Sequence, residues 1–362
     1  MLPGPRAAFY DRQMRPSTPY LRVDVARLDD NITRVADAAR AAGVQVRPHA
    51  KTHKTPEIAR RQLEAGAGGL TVATIGEAEV FADAGVTDLF LALPIWPDPA
   101  QAGRLRVLAD RTALRVAVDS VEGAHHLAAC LDGARVSVLV EVDSGQHRTG
   151  VPATDVATVA VAAAGAGLAI EGAFTFPGHS YSPDTTTSAA VDEASALTEA
   201  VSQLRSAGIE PTVLSGGSTP SLQASLAAPG VTTELRPGVY VFGDAQQWEL
   251  GRTTPDRLAL TCRATVISHT GGRVVLDSGS KALGADRAPY ASGFGRILDD
   301  PDARIVQLSE HHAVVETDRS YPLGSVVDVV PNHVCNAVNL ADILYADHGP
   351  GLEAWPVAAR GR

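Results

Sequence analysis

Residues 44–73 read VQVRPHAKTHKTPEIARRQLEAGAGGLTVA. The stretch opens on a short β-branched run, Val44 to Arg47, and closes on another, Leu70 to Ala73; between them Pro56 to Ala65 has helical composition and periodicity. Gly66 stands where that helix should stop, as expected of a glycine taking a left-handed conformation after a helix. This strand–helix–strand unit then repeats. Further strands are expected near Leu89 to Leu93, Leu114 to Val118, Val136 to Val142, Leu168 to Phe174, Pro211 to Ser215 and Thr232 to Leu235. Helices are expected over Gly76 to Ala84, Glu122 to Leu131, Ala153 to Ala164 and Ser188 to Ala207, with Gly43, Gly85 and Gly208 as further stops. Eight strands alternating with helices imply an α/β fold, a parallel sheet closed as a (β/α)8 TIM barrel. After Gly251 the texture changes: Leu258 to Ile267, Arg273 to Asp277, Ala313 to Glu316 and Ser325 to Val330 are strand-like, with Gly and Pro turns. The expected division is a barrel over 1–250, including an N-terminal extension, and a C-terminal β-rich domain over 251–362.

The 362 residues are 45% apolar and 20% charged, ample for a large core, and 41 acidic against 31 basic side chains give a formal net charge of −10. An acidic chain without clustered Lys and Arg lacks what phosphate backbones require, so no nucleic-acid partner is expected. No apolar run reaches the roughly 18 residues of a membrane span; the blandest stretch, Val159 to Ile170, is interrupted by Gly165 and Gly167. The residues from Met1 to Arg6 lack the apolar segment of a signal peptide, so a cytoplasmic location is expected. Cys130, Cys262 and Cys335 are too few and too scattered for a disulfide framework.

Barrel chemistry sits at the C-terminal ends of the strands. Lys51 follows the first strand there, and a lysine partly desolvated or beside another cation loses its proton at modest cost, leaving an amine that attacks carbonyls. The competing reading makes Lys51 and Lys54 solvated loop charges. Ser215-Gly216-Gly217-Ser218-Thr219 leaves the seventh strand as a phosphate cradle would, with glycines for close backbone approach and hydroxyls to donate, although a Gly-Gly turn needs no ligand. His333 and Cys335 flank Val334, and on an extended segment both side chains would point the same way, about 7 Å apart. Imidazole and thiolate suit zinc, and two protein ligands leave positions for water or substrate; a buried cysteine beside a satisfied histidine is the alternative. His179 and Tyr181 follow the sixth strand, at the barrel mouth, in keeping with substrate or cofactor contact. Asp244 either orients the site or forms a turn, and His311 could reach the site or belong to a surface pair with His312. Cys130 and Cys262 lie in apolar contexts as fillers.

Six motifs in order, Pro48 to Lys54, Glu141 to Gly150, Gly178-His179-Ser180-Tyr181, Ser215 to Thr219, Glu234 to Tyr240 and Pro331-Asn332-His333-Val334-Cys335, carry a resemblance over nearly the whole chain, from about Thr18 to the C-terminus. The chain resembles the fold type III pyridoxal phosphate enzymes, with their alanine racemase-like barrel, and within them the D-serine dehydratase and D-threonine aldolase branch. The resemblance implies that Lys51 carries the cofactor, that Arg148 faces its ring, and that Gly217, Ser218, Thr219 and Tyr240 hold its phosphate. It also implies a divalent metal on His333 and Cys335, zinc first, with manganese or magnesium as alternatives.

The implied activity is a lyase acting on D-β-hydroxy amino acids. Dehydration of D-serine or D-threo-3-hydroxyaspartate would give a 2-oxo acid and ammonia, with Lys51 as the base at Cα and the metal at the β-hydroxyl. His-x-Cys resembles the dehydratase pattern; retro-aldol cleavage to glycine and an aldehyde is the alternative. An amino-acid racemase and a non-catalytic pyridoxal phosphate protein are more distant readings, disfavoured by the metal pair and the β domain. Family geometry implies a homodimer with the active site at the subunit interface.

Overall fold

The computed structural model describes residues 16–361. Eight parallel strands lie in the order Gln45–Val46, Glu234–Leu235, Val213–Gly216, Ala169–Thr175, Ser137–Val142, Ala113–Val118, Asp88–Pro94 and Leu70–Val72. A parallel bridge between His49 and Thr71, with the Thr71 N–H donating to the Pro48 carbonyl at 2.9 Å, joins the last strand to the end of the first and closes the ring. The expected barrel is therefore the observed one. Gly43, Gly66, Gly85 and Gly208 end their helices at φ values of 71°, 100°, 90° and 76°, the left-handed region where a Cβ would be strained.

Inside the ring, Phe90, Ala117, Leu139 and Phe174 fill the centre, while the outward faces of the strands pack on the helices through Leu70, Val72, Val116, Val138 and Leu197. This inside-and-out burial is why the strands read as continuous apolar runs. One barrel helix, Pro99–Arg111, escaped the periodicity reading, although Asp98 and Gln101 form a reciprocal capping box at its start and Pro99 takes its first turn.

The second sheet has nine strands, ordered Val274–Leu276, Ala313–Glu316, Asp300–Leu308, Gly295–Ile297, Val326–Pro331, Leu260–Ser268, Tyr20–Asp24, Ile343–Asp347 and Leu352–Pro356. Tyr20–Asp24 runs antiparallel to Leu260–Ser268 and parallel to Ile343–Asp347, so this sheet takes strands from both ends of the described chain. From Asp24, which caps it, the helix Val25–Ala41 leads into the barrel. One apolar cluster runs from Leu28 and Ile32 on that helix through Val241 and Phe242 to Leu260, Val329 and Trp355 in the sheet. Among the described residues no helix is long and apolar enough to cross a membrane.

Candidate active site

Past the first barrel strand the chain makes a one-turn 3-10 helix, Ala50–Thr52, which leaves Lys51 exposed in a cleft of about 580 Å3 at the barrel mouth. The Lys51 ammonium lies 5.9 Å from the centroid of the Phe176 ring, and the Arg148 guanidinium 5.2 Å from it. Beside Lys51 the imidazole of the half-buried His49 has no hydrogen-bond partner for its Nδ1 among the described residues, and desolvation together with the charges of Lys51 and Arg236 holds it well below its ordinary pKa, as the neutral ring. Lys54 is no solvated loop charge. It is buried at φ 52°, with Nζ donating to Asn339 Oδ1 at 2.7 Å and pairing with Glu77 at 3.3 Å.

Across the cleft stand His333 and Cys335, on a segment that departs from the extended form expected of it. The strand ends at Pro331, and a helix, Val334–Leu340, begins with His333 as its N-cap. Two causes can be named: Asp244 Oδ2 accepts the Val334 N–H at 3.2 Å, and Val334, Ala337 and Val338 bury one face at helical spacing. The two side chains nevertheless meet, the imidazole hydrogen-bonding to the sulfur. Burial opposes charge on both, but the Cys335 sulfur, Asp286 and Asp244 outweigh it and push His333 up to about 11, while His333 draws the Cys335 thiol below its usual value. His333 Nδ1 is held by Asp286 Oδ2, leaving Nε2 as the ring's other donor, and Cys335 Sγ lies 3.3 Å from Thr52 Oγ1, next in sequence to Lys51.

Of the other expected residues, Tyr181, Ser218 and Thr219 line the cleft; Arg148, His179, Gly217 and Tyr240 do not. Tyr181 is half-buried, and burial with the nearby Cys335 and Asp244 charges drives its phenol pKa well up, keeping the hydroxyl protonated. His179 is tied to Asp192 at 3.0 Å. Gly217 stands at φ 84° with its N–H on Glu193. Ser218 Oγ lies within 2.9 Å of the hydroxyls of Ser180 and Ser221. Tyr240 accepts from Gln62 at its hydroxyl, and its backbone N–H donates to Thr219 Oγ1 at 3.2 Å. Asp244 both caps the helix Ala245–Glu249 through the Gln247 N–H and holds Val334, and burial raises it to about 6 against the pull of His333. His311 lines a separate cavity with Lys281 and Glu310. Cys262 is buried in its strand, whereas Cys130 is half-buried against Pro97 and His126.

Residues 23–246 match the alanine racemase N-terminal domain, and residues 259–346 match a putative serine dehydratase domain. The chain is 34% identical to the D-threo-3-hydroxyaspartate dehydratase of Delftia sp. (strain HT23), over 88% of this chain and 90% of that one. It belongs to the fold type III pyridoxal phosphate enzymes. A D-threonine aldolase of Arthrobacter sp is 32% identical over 97% and 94% of the two chains, and a D-serine dehydratase of Dictyostelium discoideum 30% over 88% and 90%. The Delftia dehydratase structure superposes with a TM-score of 0.88 at 32% identity, covering 96% of this chain and 99% of that one. Alanine racemase from Bacillus anthracis, at 17% identity and a TM-score of 0.70, shares the fold. A cysteine-to-alanine variant of the D-threo-3-hydroxyaspartate dehydratase is described in a metal-free form.

The cleft fits the cofactor of this fold type III family. Beside Lys51 the main chain passes close: a Cβ on Gly238 would stand 2.5 Å from Thr52 Oγ1 and 3.2 Å from the His49 carbonyl oxygen, a tight approach that glycine allows. Arg236, buried in the barrel core over Phe174 and Phe90 at 5.1 and 5.7 Å, reaches the cleft as a second cation besides Lys51. The metal donors fit too, as an imidazole oriented by a carboxylate on its other nitrogen is the usual support of a metal-ligating histidine. Among the described residues no group of three or more His, Cys, Asp or Glu could hold a metal ion, so a metal at this place would have His333 and Cys335 as its protein ligands and other positions open. The sequence reading missed Asp286, Glu193 and Glu77. Each acts across the fold on a residue far along the chain, and no local spacing marks them.

Proposed function

We propose that this chain is a pyridoxal phosphate- and metal-dependent lyase of D-β-hydroxy amino acids, a dehydratase releasing a 2-oxo acid and ammonia from D-serine or D-threo-3-hydroxyaspartate. The observation that carries the reading is a contact: Cys335 Sγ reaches Thr52, the neighbour of Lys51, so amine and metal donors face one cleft from opposite domains. When bound, the cofactor supplies the electron sink that makes Cα acidic, and the metal the Lewis acid for a departing β-hydroxyl. Lys51 Nζ is the anchoring amine and, once free, the base that takes the Cα proton. Ser218 and Thr219, with the backbone at Gly238, would receive the phosphate. Arg148 and Arg236 supply positive charge for carboxylates, and the protonated Tyr181 phenol stands ready to donate to an oxygen above Cys335.

His333 and Cys335 would hold zinc, because thiolate with imidazole selects a borderline-soft ion over magnesium or manganese. Three free cysteines suit a reducing cytoplasm. The aldol route uses the same groups, the discriminating event being whether the β-oxygen leaves or loses its proton. Pure protein incubated with D-serine, D-threonine and D-threo-3-hydroxyaspartate should yield keto acid and ammonia, lost on chelation. Glycine plus aldehyde as the main product would replace the dehydratase reading with the aldolase one.

A further inference from the structure

Two glycines leave the seventh barrel strand in Ser215-Gly216-Gly217-Ser218-Thr219, and packing within the chain accounts for both without an anion. A Cβ on Gly216 would stand 2.7 Å from the carboxyl carbon of Glu193, and one on Gly217 would stand 2.8 Å from a methyl of Leu235, on a backbone at φ 84°. The Gly217 N–H is occupied as well, since Glu193 Oε2 accepts it at 2.5 Å. What the turn presents to a ligand is therefore the pair of hydroxyls on Ser218 and Thr219, both on the cleft wall.

The placing of those hydroxyls is set from behind the turn. Glu193, 1% exposed, reaches it from the helix Thr186–Ser206, and its other oxygen takes the Ser225 hydroxyl at 3.2 Å, which ties the turn to the helix Leu222–Ala227 that follows it. The preceding residue of the long helix, Asp192, holds His179 at 3.0 Å, next in sequence to Ser180. Ser180 Oγ in turn meets Ser218 Oγ at 2.8 Å. Consecutive residues of one helix thus brace the two turns whose serines touch. An ionised carboxylate behind an anion site would oppose the anion, but burial raises Glu193 to about 7 against the pull of Gly217, Arg236 and Ser225, so part of its charge is withheld at neutral pH.

We propose that Glu193 is a positioning residue for the phosphate end of the cofactor: it holds the Gly216-Gly217 turn so that the Ser218 and Thr219 hydroxyls face the phosphate, which it does not itself touch. The proposal rests on the cofactor assigned under the proposed function and says which buried group shapes its phosphate seat.

Two aldehydes test it, pyridoxal phosphate and pyridoxal, which lacks the phosphate and meets Lys51 through the same carbonyl. Each is titrated into the full chain freed of cofactor, and binding is read from the absorbance of the lysine-bound aldehyde. Glu193→Ala leaves the Gly217 N–H buried without its acceptor and should weaken pyridoxal phosphate by about 10- to 100-fold, with pyridoxal near its parent affinity. Glu193→Gln keeps an acceptor for that N–H and should restore pyridoxal phosphate to near the parent value. In phosphorus NMR of the loaded protein, the resonance should move from the parent position in the alanine variant and stay there in the glutamine variant. Glu193→Asp, one methylene too short to reach Gly217, gives the same contrast should the alanine variant fail to fold. Equal weakening of both aldehydes would make Glu193 a support of the fold alone, and unchanged affinity for pyridoxal phosphate would show that the turn holds without it; either result overturns the proposal. A parent chain that takes up neither aldehyde would instead remove the cofactor assignment, and this inference with it.

Discussion

Glu193 projects from the long helix Thr186–Ser206 to the turn expected to cradle a phosphate, where its carboxylate accepts the Gly217 N–H at 2.5 Å and the Ser225 hydroxyl at 3.2 Å. With 1% of the residue exposed, burial pushes its pKa to about 7, against the opposing pull of Gly217, Arg236 and Ser225. The folded chain therefore binds this proton more tightly than the unfolded chain. Stability is highest below the ordinary carboxylate pKa of 4.5 and falls as pH rises towards 7, by about 3 kcal/mol in all. Glu193→Gln keeps an acceptor for Gly217, and Ser225 can rotate to accept from the amide, so urea unfolding of the variant should show that much less decline between pH 5 and 7.5. Equal declines in the two proteins would show that the carboxyl does not titrate there. The Gly-Gly turn itself was visible in the sequence, because glycine at such a position is a local requirement. Glu193 was not, because what makes it matter is a contact with a turn 24 residues away, and the same holds for Asp286 beneath His333.

The catalytic elements are fastened to one another by few, buried links. Lys54 joins the Lys51 turn to Glu77, which itself accepts the Ala73 N–H at 2.7 Å, and to Asn339 on the helix Val334–Leu340 that carries Cys335. Lys54→Met would leave the Glu77 carboxylate buried with that one N–H, a broken buried pair costing about 3–5 kcal/mol. Lys54→Met with Glu77→Gln should recover much of this, since the orphaned charge is removed as well. Denaturant unfolding of the two single variants and the double variant measures the coupling, and additive losses would mean that the pair carries no mutual energy. The elements themselves were unequally readable. Barrel strands are apolar on both faces and follow helices that stop at glycines, which is a strong local signal, whereas the extended form expected for His333 to Cys335 rests on the His-x-Cys spacing alone and yields to the helical period of Val334, Ala337 and Val338. Tyr20–Asp24 carries no mark of its partner sheet at all, since strand pairing across more than 200 residues is settled by packing and not by the strand's own pattern.

At the scale of the molecule, one apolar cluster spans barrel and second sheet, so the two halves of the cleft are held by a common core and not by a hinge. Yet the barrel mouth is incompletely covered. Trp96 is 65% exposed and Leu93 42%, and both line a depression that shares Ala73 and Thr74 with the cleft. Large apolar side chains left open beside a reactive site are what a second copy of the chain would bury, and the homodimer that the family resemblance implies would supply that copy. Light scattering should then give about 75 kDa, twice the 37.6 kDa of the chain. Trp96→Glu, placing a charge where an apolar face must close, should shift the mass towards one chain and lower turnover per chain in parallel, because each cleft would lose its cover. Trp96 is distant in function from Lys51, so its loss should leave the absorbance of the lysine-bound cofactor in place. A monomer that turns over as fast as the parent would show that one chain completes the site alone.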